Sequence, residues 1–341
     1  MSPAATATRR GRLRRADCAG PGIKRVRRGR GFSFVDGSGE TIADEETLER
    51  IRALAIPPAW KEVWVCPDPF GHIQATGYDE AGRKQYLYHE RWQRRQAERK
   101  YELVRDFARK LPRLRRAVTA DLRRQGMPRE RALACAIRLL DLGFFRVGSE
   151  VYAEENESFG LATVRREHVT IGKAEVVFDF PAKSGQRRVQ SIRDAAARRA
   201  LETMYRRRGG PDDLLAYRAG GEWVDVRSDD INEYIHAKIG DEFSAKNFRT
   251  WHGTVLAAVA LAGEKKPRSE AAAKRCIARA VKEVSEALGN TPAVCRASYI
   301  DPRVLDRYRN GDTIRPTVSK NGRLSAKQRL KIEKEVLNLV S

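Results

Sequence analysis

The sequence predicts an α+β protein in which a small β-rich amino-terminal domain precedes a larger, mainly α-helical domain. Short alternating segments separated by Gly, Pro and Asp turns occupy residues 32–88. Longer segments with helical periodicity dominate residues 89–341. Within that second region, residues 168–192 alternate apolar and polar side chains around two turn signals. The helical domain is therefore predicted to contain a three-stranded β-meander.

A large excess of positive charge limits the choice of partner. The 341 residues include 67 Lys and Arg against 45 Asp and Glu, which gives a formal net charge of +22. Such an excess requires an anionic partner, and nucleic acid is the default interpretation. A basic membrane-surface protein is the rival, but no apolar run approaches about 18 residues and no signal-peptide core follows Met1. We expect a soluble protein that is not exported and does not bind a membrane.

The cysteines predict neither disulfides nor a zinc ribbon. They are odd in number and scattered, and they never form a CxxC pair. This pattern indicates free thiols in a reducing compartment. The five positions are Cys18, Cys66, Cys135, Cys276 and Cys295.

Residues 1–31 are expected to form a basic, flexible arm. They hold ten Lys or Arg against one acid, Asp17, with Gly and Pro interspersed. The composition is also typical of a transit peptide, and that alternative stays open. Basic arms are nevertheless common on nucleic-acid-binding proteins.

The β-rich domain is predicted to end near Tyr88. Its strand signals are short runs bounded by turn residues. The runs are "FSFVD", "EVWVCP", "HIQATGYD" and "KQYLYH".

Helices are predicted for most of the rest. A long charged helix runs from about His89 to Lys110, with Pro112 marking its end. The stretch "RALACAIRLLDLGFFRVG" is apolar nearly all round, so it is predicted to be buried. The amphipathic stretch "SEAAAKRCIARAVKEVSEALG" is predicted to stop at Gly289.

One tyrosine lies among dense helix-boundary signals. Thr291 and Pro292 predict the start of a short helix, as cap and first-turn residue. Tyr299 falls at the far end of that helix, just before a second start signal at Asp301 and Pro302. A phenol in this position is a candidate nucleophile, although a tyrosine is more often a packing residue.

Three cationic side chains are also candidate functional residues. Arg146 follows the buried helix in "FFRVGSE", where the ordinary explanation is a charge that complements the helix dipole. Lys183 lies at the hairpin tip "FPAKSGQ", where it could also be an ordinary exposed turn residue. Arg249 lies in "SAKNFRTWHGT", one of the few places where Lys, Arg, Trp and His crowd together.

Taken together, these segments resemble the active-site segments of type IB DNA topoisomerases of the small poxvirus and bacterial kind. The segments are "FFRVGSE", "FPAKSG", "SAKNFRTWHGT" and "NTPAVCRASYID". "IPPAW" and "RKQYLYH" resemble the amino-terminal domain of that family. The resemblance extends from about Ile23 to Tyr308, and it implies two domains that form a clamp around duplex DNA.

The resemblance also implies roles for individual residues. It makes Tyr299 the nucleophile that attacks a phosphodiester of DNA. Arg146 and Arg249 would clamp the scissile phosphate, and Lys183 would protonate the leaving oxygen. Lys246 matches a family lysine that assists this proton transfer.

Two further parts of the resemblance concern DNA contact. Gln85, Tyr86 and Tyr88 match residues of the amino-terminal domain that touch DNA in the major groove. Many members carry a histidine nine residues before the tyrosine, whereas this chain has Asn290. An asparagine amide donates a hydrogen bond to a phosphate oxygen but carries no charge and transfers no proton. Asn290 is therefore expected to be a neutral phosphate ligand.

The residue types suit phosphoryl transfer without ATP or an essential metal. Two guanidiniums and an amide stabilise charge on the phosphate oxygens. The sequence offers no Walker loop and no convincing carboxylate cluster for magnesium. Because the 3′-phosphotyrosyl linkage keeps the bond energy, resealing needs no ATP. We expect a monomeric enzyme that acts on duplex DNA in the cytoplasm, associated with the nucleoid.

Two alternatives remain. A tyrosine recombinase uses a similar order of Arg, Lys, Arg and Tyr, but recombinases usually place a helical domain at the amino terminus. A non-catalytic basic DNA-binding protein explains the charge but not the ordered segments.

Overall fold

The computed structural model describes residues 11–148, 158–182, 185–315 and 325–341. The chain divides into two compact units, Met1–Lys100 and Tyr101–Ser341. The first unit is built on a β-sheet and the second is mainly helical. The predicted α+β class is thereby confirmed.

A five-stranded antiparallel sheet forms the first unit, in the order β2-β1-β3-β4-β5. Helix α1 (Glu45–Ala53) begins at Asp44, whose carboxylate accepts a 2.9 Å hydrogen bond from Thr47 N. Its buried Ile51 joins the small core on one face of the sheet. The strands are β1 (Ile23–Arg28), β2 (Gly31–Val35), β3 (Lys61–Val65), β4 (Ile73–Tyr78) and β5 (Lys84–Tyr88).

The prediction of a flexible arm over residues 1–31 was wrong for its last part. Residues 23–28 form strand β1, which lies inside the sheet between β2 and β3. One basic residue of this strand, Arg25, has structural partners. Arg25 stacks over the Phe32 ring at 4.2 Å and donates a 3.1 Å hydrogen bond to Pro57 O. Ile23 is buried in the core, so a strand dense in arginine is still anchored to the sheet by its apolar first residue.

The helices of the second unit surround one large apolar core. Helix α2 begins in the first unit and continues into the second. The helices are α2 (Glu90–Asp121), α3 (Arg129–Gly143), α4 (Ala195–Tyr205), α5 (Ser228–Ile239), α6 (Ala245–Ala262), α7 (Glu270–Leu288), α8 (Pro292–Ser298), α9 (Pro302–Arg309) and α10 (Ala326–Leu339).

Helix α2 does not end at Lys110 as predicted. It runs through Pro112 to Asp121. A proline inside a helix removes one hydrogen bond and costs about 3 kcal/mol. The apolar face continues at helical spacing on both sides, with Phe107, Leu111 and Leu114 fully buried. Packing of this face outweighs the local loss.

The predicted three-stranded meander is present. Strands β6 (Val169–Ile171), β7 (Val176–Ala182) and β8 (Gln186–Ile192) pair in that order, all antiparallel. A separate hairpin joins β9 (Ala216–Ala219) to β10 (Glu222–Asp225).

A buried ion network fixes the end of helix α3. Asp141 is 4% exposed, and Arg115 of α2 donates two 2.9 Å hydrogen bonds to its carboxylate. Arg329 of α10 also donates to Asp141. Burial alone would raise the pKa of Asp141, but Arg329, His252 and Arg115 together hold it well below its usual range. The carboxylate therefore stays ionised and ties α2 and α10 to α3 five residues before Arg146.

No helix within the described ranges is long and apolar enough to cross a membrane.

Candidate active site

Three arginines meet at the carboxyl end of helix α7. The last carbonyls of a helix lack partners within the helix and carry the negative end of its dipole, so they attract guanidinium groups. Each arginine donates one 2.7 Å hydrogen bond to a different carbonyl there. The pairs are Arg188 Nη2 with Ala287 O, Arg249 Nη2 with Leu288 O, and Arg146 Nη2 with Gly289 O.

Gly289 ends helix α7 as the sequence predicts. Its φ is +60°, in the left-handed region where a side chain is strained. A Cβ at this position would lie 3.3 Å from Arg188 Nη1. The turn therefore favours glycine strongly, and a side chain here would also crowd the Arg188 guanidinium.

Arg146 also orients Asn290. Its Nη2 donates to Asn290 Oδ1, so the amide oxygen faces the guanidinium. Asn290 Nδ2 is buried and has no hydrogen-bond partner among the described residues. The thiol of Cys295, a weak acceptor, lies beside it. In the free protein Asn290 therefore accepts from Arg146, and its own donor is unused.

Arg249 is the most deeply buried of the three arginines, at 5% exposure. It lies on α6, and its Nη1 donates to Phe144 O at the end of α3. Its Nε is buried without a partner among the described residues. Burial, reinforced by the like charge of Arg146, lowers the pKa of Arg249 to about 10, although the nearby Tyr299 hydroxyl opposes this shift. The guanidinium remains charged at neutral pH.

The carbonyl that holds Arg249 belongs to a strained residue. Phe144 has φ +54°, although it is not a glycine. This conformation costs on the order of 1–3 kcal/mol. No larger residue fits at the neighbouring Gly143, because a Cβ there would lie 2.2 Å from the Phe145 ring. The turn after α3 is thus determined by close packing, and it directs the Phe144 carbonyl at Arg249.

Tyr299 lies beside this cluster at the end of α8. The Arg249 guanidinium carbon is 5.2 Å from the centre of the Tyr299 ring, which is half-buried. Helix α6 holds the backbone of the tyrosine from the other side. Thr254 Oγ1 is 3.4 Å from Tyr299 O, and a Cβ at Gly253 would lie 2.5 Å from the same oxygen. The tyrosine therefore fits only because residue 253 is glycine.

The arginine cluster has no compensating carboxylate in the part of the chain that the structure describes. Hydrogen bonds from Arg146, Arg188 and Arg249 go to main-chain carbonyls and side-chain amides. Charges gathered away from water are normally paired. An unpaired cluster of guanidiniums beside a phenol is suited to an anionic ligand such as a phosphate.

Lys246 and Lys183 are the remaining catalytic residues predicted from the sequence. Lys246 is exposed on α6, one turn before Arg249. Lys183 lies outside the described residues, between β7 and β8. The structure therefore brings together Arg146, Arg249, Asn290 and Tyr299 from the predicted set.

Strand β5 of the first unit carries the three predicted DNA-contact residues. Tyr86 and Tyr88 are 41% and 38% exposed, and their rings stack with centres 6.0 Å apart. Lys84 Nζ lies 5.9 Å from the Tyr86 ring. Gln85 points away from this pair, because its Nε2 donates a 2.9 Å hydrogen bond to Asp79 Oδ2. The two tyrosines thus form an exposed aromatic face, and Gln85 is already engaged.

The sequence did not point to Arg188, Gly253 or Thr254. One signal for Arg188 was available, since alternation along β8 places it on the same face as the core-facing Phe180, its partner in register. Gly253 and Thr254 carry no comparable signal, because their importance depends on contact with Tyr299 across 46 and 45 residues of chain.

Comparison with known proteins identifies the family of this chain. The family "Eukaryotic DNA topoisomerase I, catalytic core" matches residues 89–317, and "Bacterial DNA topoisomerase IB, N-terminal domain" matches residues 31–79. These matches identify the chain as a DNA topoisomerase I, an isomerase.

Individual relatives support the same assignment. DNA topoisomerase 1B of Acanthamoeba polyphaga mimivirus is 33% identical over 297 residues, which cover 85% of this chain and 88% of the viral protein. DNA topoisomerase 1B of vaccinia virus (strain Copenhagen) is 25% identical over 147 residues, 41% of this chain and 46% of that protein. DNA topoisomerase 1 of Schizosaccharomyces pombe is 28% identical over 158 residues, 46% of this chain and 18% of that protein. The chain belongs to the type IB DNA topoisomerase family.

Proposed function

We propose that this enzyme relaxes supercoiled duplex DNA by cutting one strand through a 3′-phosphotyrosyl intermediate, allowing rotation, and resealing without ATP. The observation that carries the proposal is the cluster of guanidiniums, unpaired by any described carboxylate, that contacts the ring of Tyr299. Family membership supplies the substrate class, DNA.

In the cleavage step, Tyr299 releases its phenolic proton to water and its Oη attacks the scissile phosphorus. A phosphorus–oxygen bond to the tyrosine forms while the bond to the 5′ oxygen breaks. Negative charge on the non-bridging oxygens is stabilised by the guanidinium groups of Arg146 and Arg249. Asn290 offers its Nδ2, which has no hydrogen-bond partner among the described residues, to the same phosphate. Resealing reverses these steps, so the phosphotyrosyl bond retains the energy needed for religation.

The departing 5′ alkoxide is much more basic than a phenolate and needs a proton. We assign that proton to Lys183, assisted by Lys246. A substrate with a bridging 5′ sulfur leaves without protonation. Lys183→Ala should therefore cleave the sulfur substrate almost normally and ordinary DNA slowly; equal impairment on both would contradict the assignment.

A relaxation assay tests the proposed function. Supercoiled plasmid without any specific paired site, incubated with EDTA and without ATP, should be relaxed catalytically, because charge stabilisation comes from arginines. Addition of denaturant during the reaction should trap protein on the 3′ side of a nick. A tyrosine recombinase would require paired specific sites. Failure to relax the plasmid, or a requirement for ATP or a divalent metal, would overturn the proposal.

Gly253→Val is expected to impair cleavage without removing any reacting group. A Cβ at residue 253 already lies 2.5 Å from Tyr299 O, so a branched side chain must displace the nucleophile. Displacement by about 1 Å costs on the order of 10² in rate. The readout is single-turnover formation of the covalent complex.

Gly263→Val, at the end of the same helix, is the matched control. It makes the same substitution at a position where a Cβ would lie 3.5 Å from Ala260 O, an ordinary van der Waals contact. Equal cleavage rates for the two valine variants would show that the close approach of Gly253 does not position the tyrosine.

A further inference from the structure

We propose that Arg188 is a third phosphate-binding group of this site, which contacts the cleaved DNA strand together with Arg146 and Arg249. The inference rests on the proposed function, because it names an additional ligand of the same substrate.

The fold places Arg188 and its neighbour Arg187 on opposite faces of β8. Arg188 pairs in register with buried Phe180, so its side chain faces the same way and reaches the end of α7. Arg187 faces the other way, and its Nε donates a 2.6 Å hydrogen bond to Asp179. Within the described ranges, Arg187 has a carboxylate partner and Arg188 has none. Two adjacent arginines thus have different surroundings.

The hydrogen bonds of Arg188 differ from those of a structural arginine in the same unit. Arg207 is 6% exposed, and both of its terminal nitrogens donate to main-chain carbonyls. Arg188 is half-buried, and within the described residues only its Nη2 donates, to Ala287 O and to Gln190 Oε1. Its Nη1 and Nε are therefore available to a ligand.

The positive charges around Arg188 also favour an anionic ligand. Burial, and then the like charge of Arg146, lower the pKa of Arg188. Arg188 in turn contributes to the lowered pKa of Arg249. Holding a third guanidinium beside two others costs free energy unless an anion joins them. A DNA phosphate supplies that charge, and its oxygens match the guanidinium fork.

Arg188→Gln removes the positive charge, while its amide keeps a donor for Ala287 O at the end of α7. The variant therefore distinguishes the effect of the charge from that of the hydrogen bond. We expect single-turnover cleavage at saturating enzyme to slow by about 10-fold to 10²-fold, at or below the loss seen when one donor leaves a preorganised anion site. Arg187→Gln makes the same change of charge one residue away and is the matched control. It should remain within about twofold of the wild-type protein, because its exposed ion pair contributes little.

Two more variants keep the inference falsifiable. Arg188→Met is a second neutral variant if thermal melting shows that Arg188→Gln is unfolded, and it should be at least as slow. Arg188→Lys restores the charge and should recover most of the rate. Slow cleavage by the lysine and glutamine variants alike would assign Arg188 to holding the end of α7 and overturn phosphate binding.

The proposed function and this inference fail in different ways. A wild-type protein that forms no covalent adduct would overturn both. A wild-type protein that forms the adduct, with Arg188→Gln equal to Arg187→Gln, would overturn the role of Arg188 alone.

Discussion

Tyr299→Phe is expected to abolish the covalent protein–DNA adduct and plasmid relaxation while leaving DNA binding nearly unchanged. The substitution removes only the attacking oxygen. The ring remains 5.2 Å from the Arg249 guanidinium, and the backbone contacts to Gly253 and Thr254 remain as well. Loss of a nucleophile leaves no alternative route to the phosphotyrosyl bond. Adduct formation is measured by denaturing electrophoresis of end-labelled DNA.

DNA affinity is measured in parallel, as a function of salt. A chain of net charge +22 that touches about six to ten phosphates should lose on the order of 10³ to 10⁵ in affinity between 50 and 200 mM salt. Wild-type protein and Tyr299→Phe should follow the same curve. Tyr205→Phe, at a tyrosine that is 39% exposed, is the control and should cleave normally. Relaxation by Tyr299→Phe would mean that another tyrosine is the nucleophile.

The fold was predictable wherever periodicity and boundary residues act locally. The meander of β6 to β8, the end of α7 at Gly289 and the start of α8 at Thr291 all follow from residues within a few positions of each other. Strand β1 and the continuation of α2 through Pro112 were missed. Both depend on partners distant in sequence, which override charge density and the helix-breaking tendency of proline.

The candidate site, like the fold, was predictable only where the signals are local in sequence. Ordered motifs pointed to Arg146, Arg249, Asn290 and Tyr299, and the structure gathers them around one helix end. No local sequence pattern indicates which contacts bring these residues together. The carbonyls of α7 hold three arginines, and a strained Phe144 directs a further carbonyl at Arg249. Such contacts join segments more than 30 residues apart.

Arg249→Ala should cause a far larger loss of cleavage than Asn290→Ala. Arg249 brings a full charge to the phosphate, and by analogy with arginine fingers its removal costs roughly 10³ to 10⁵ in rate. Asn290 contributes one neutral hydrogen bond and accepts one from Arg146, so its removal should cost about 10² to 10³. Single-turnover cleavage measures both. Because Arg249 is buried and holds two carbonyls, melting temperatures and an Arg249→Lys variant separate lost charge from lost stability.

Asn290→His gives the sharpest test of that position. Imidazole also offers a donor, so substantial activity should remain, and Asn310→His, at an exposed asparagine, is the control. The new histidine should add an inflection to the pH–rate profile that the asparagine enzyme lacks. An unperturbed histidine titrates near pH ~6.5, and the adjacent Arg146 disfavours its protonated form, so the inflection should lie at or below that value. If Asn290→Ala cleaves as fast as the wild-type protein, or Asn290→His is inactive while Asn290→Ala is active, Asn290 does not bind the scissile phosphate.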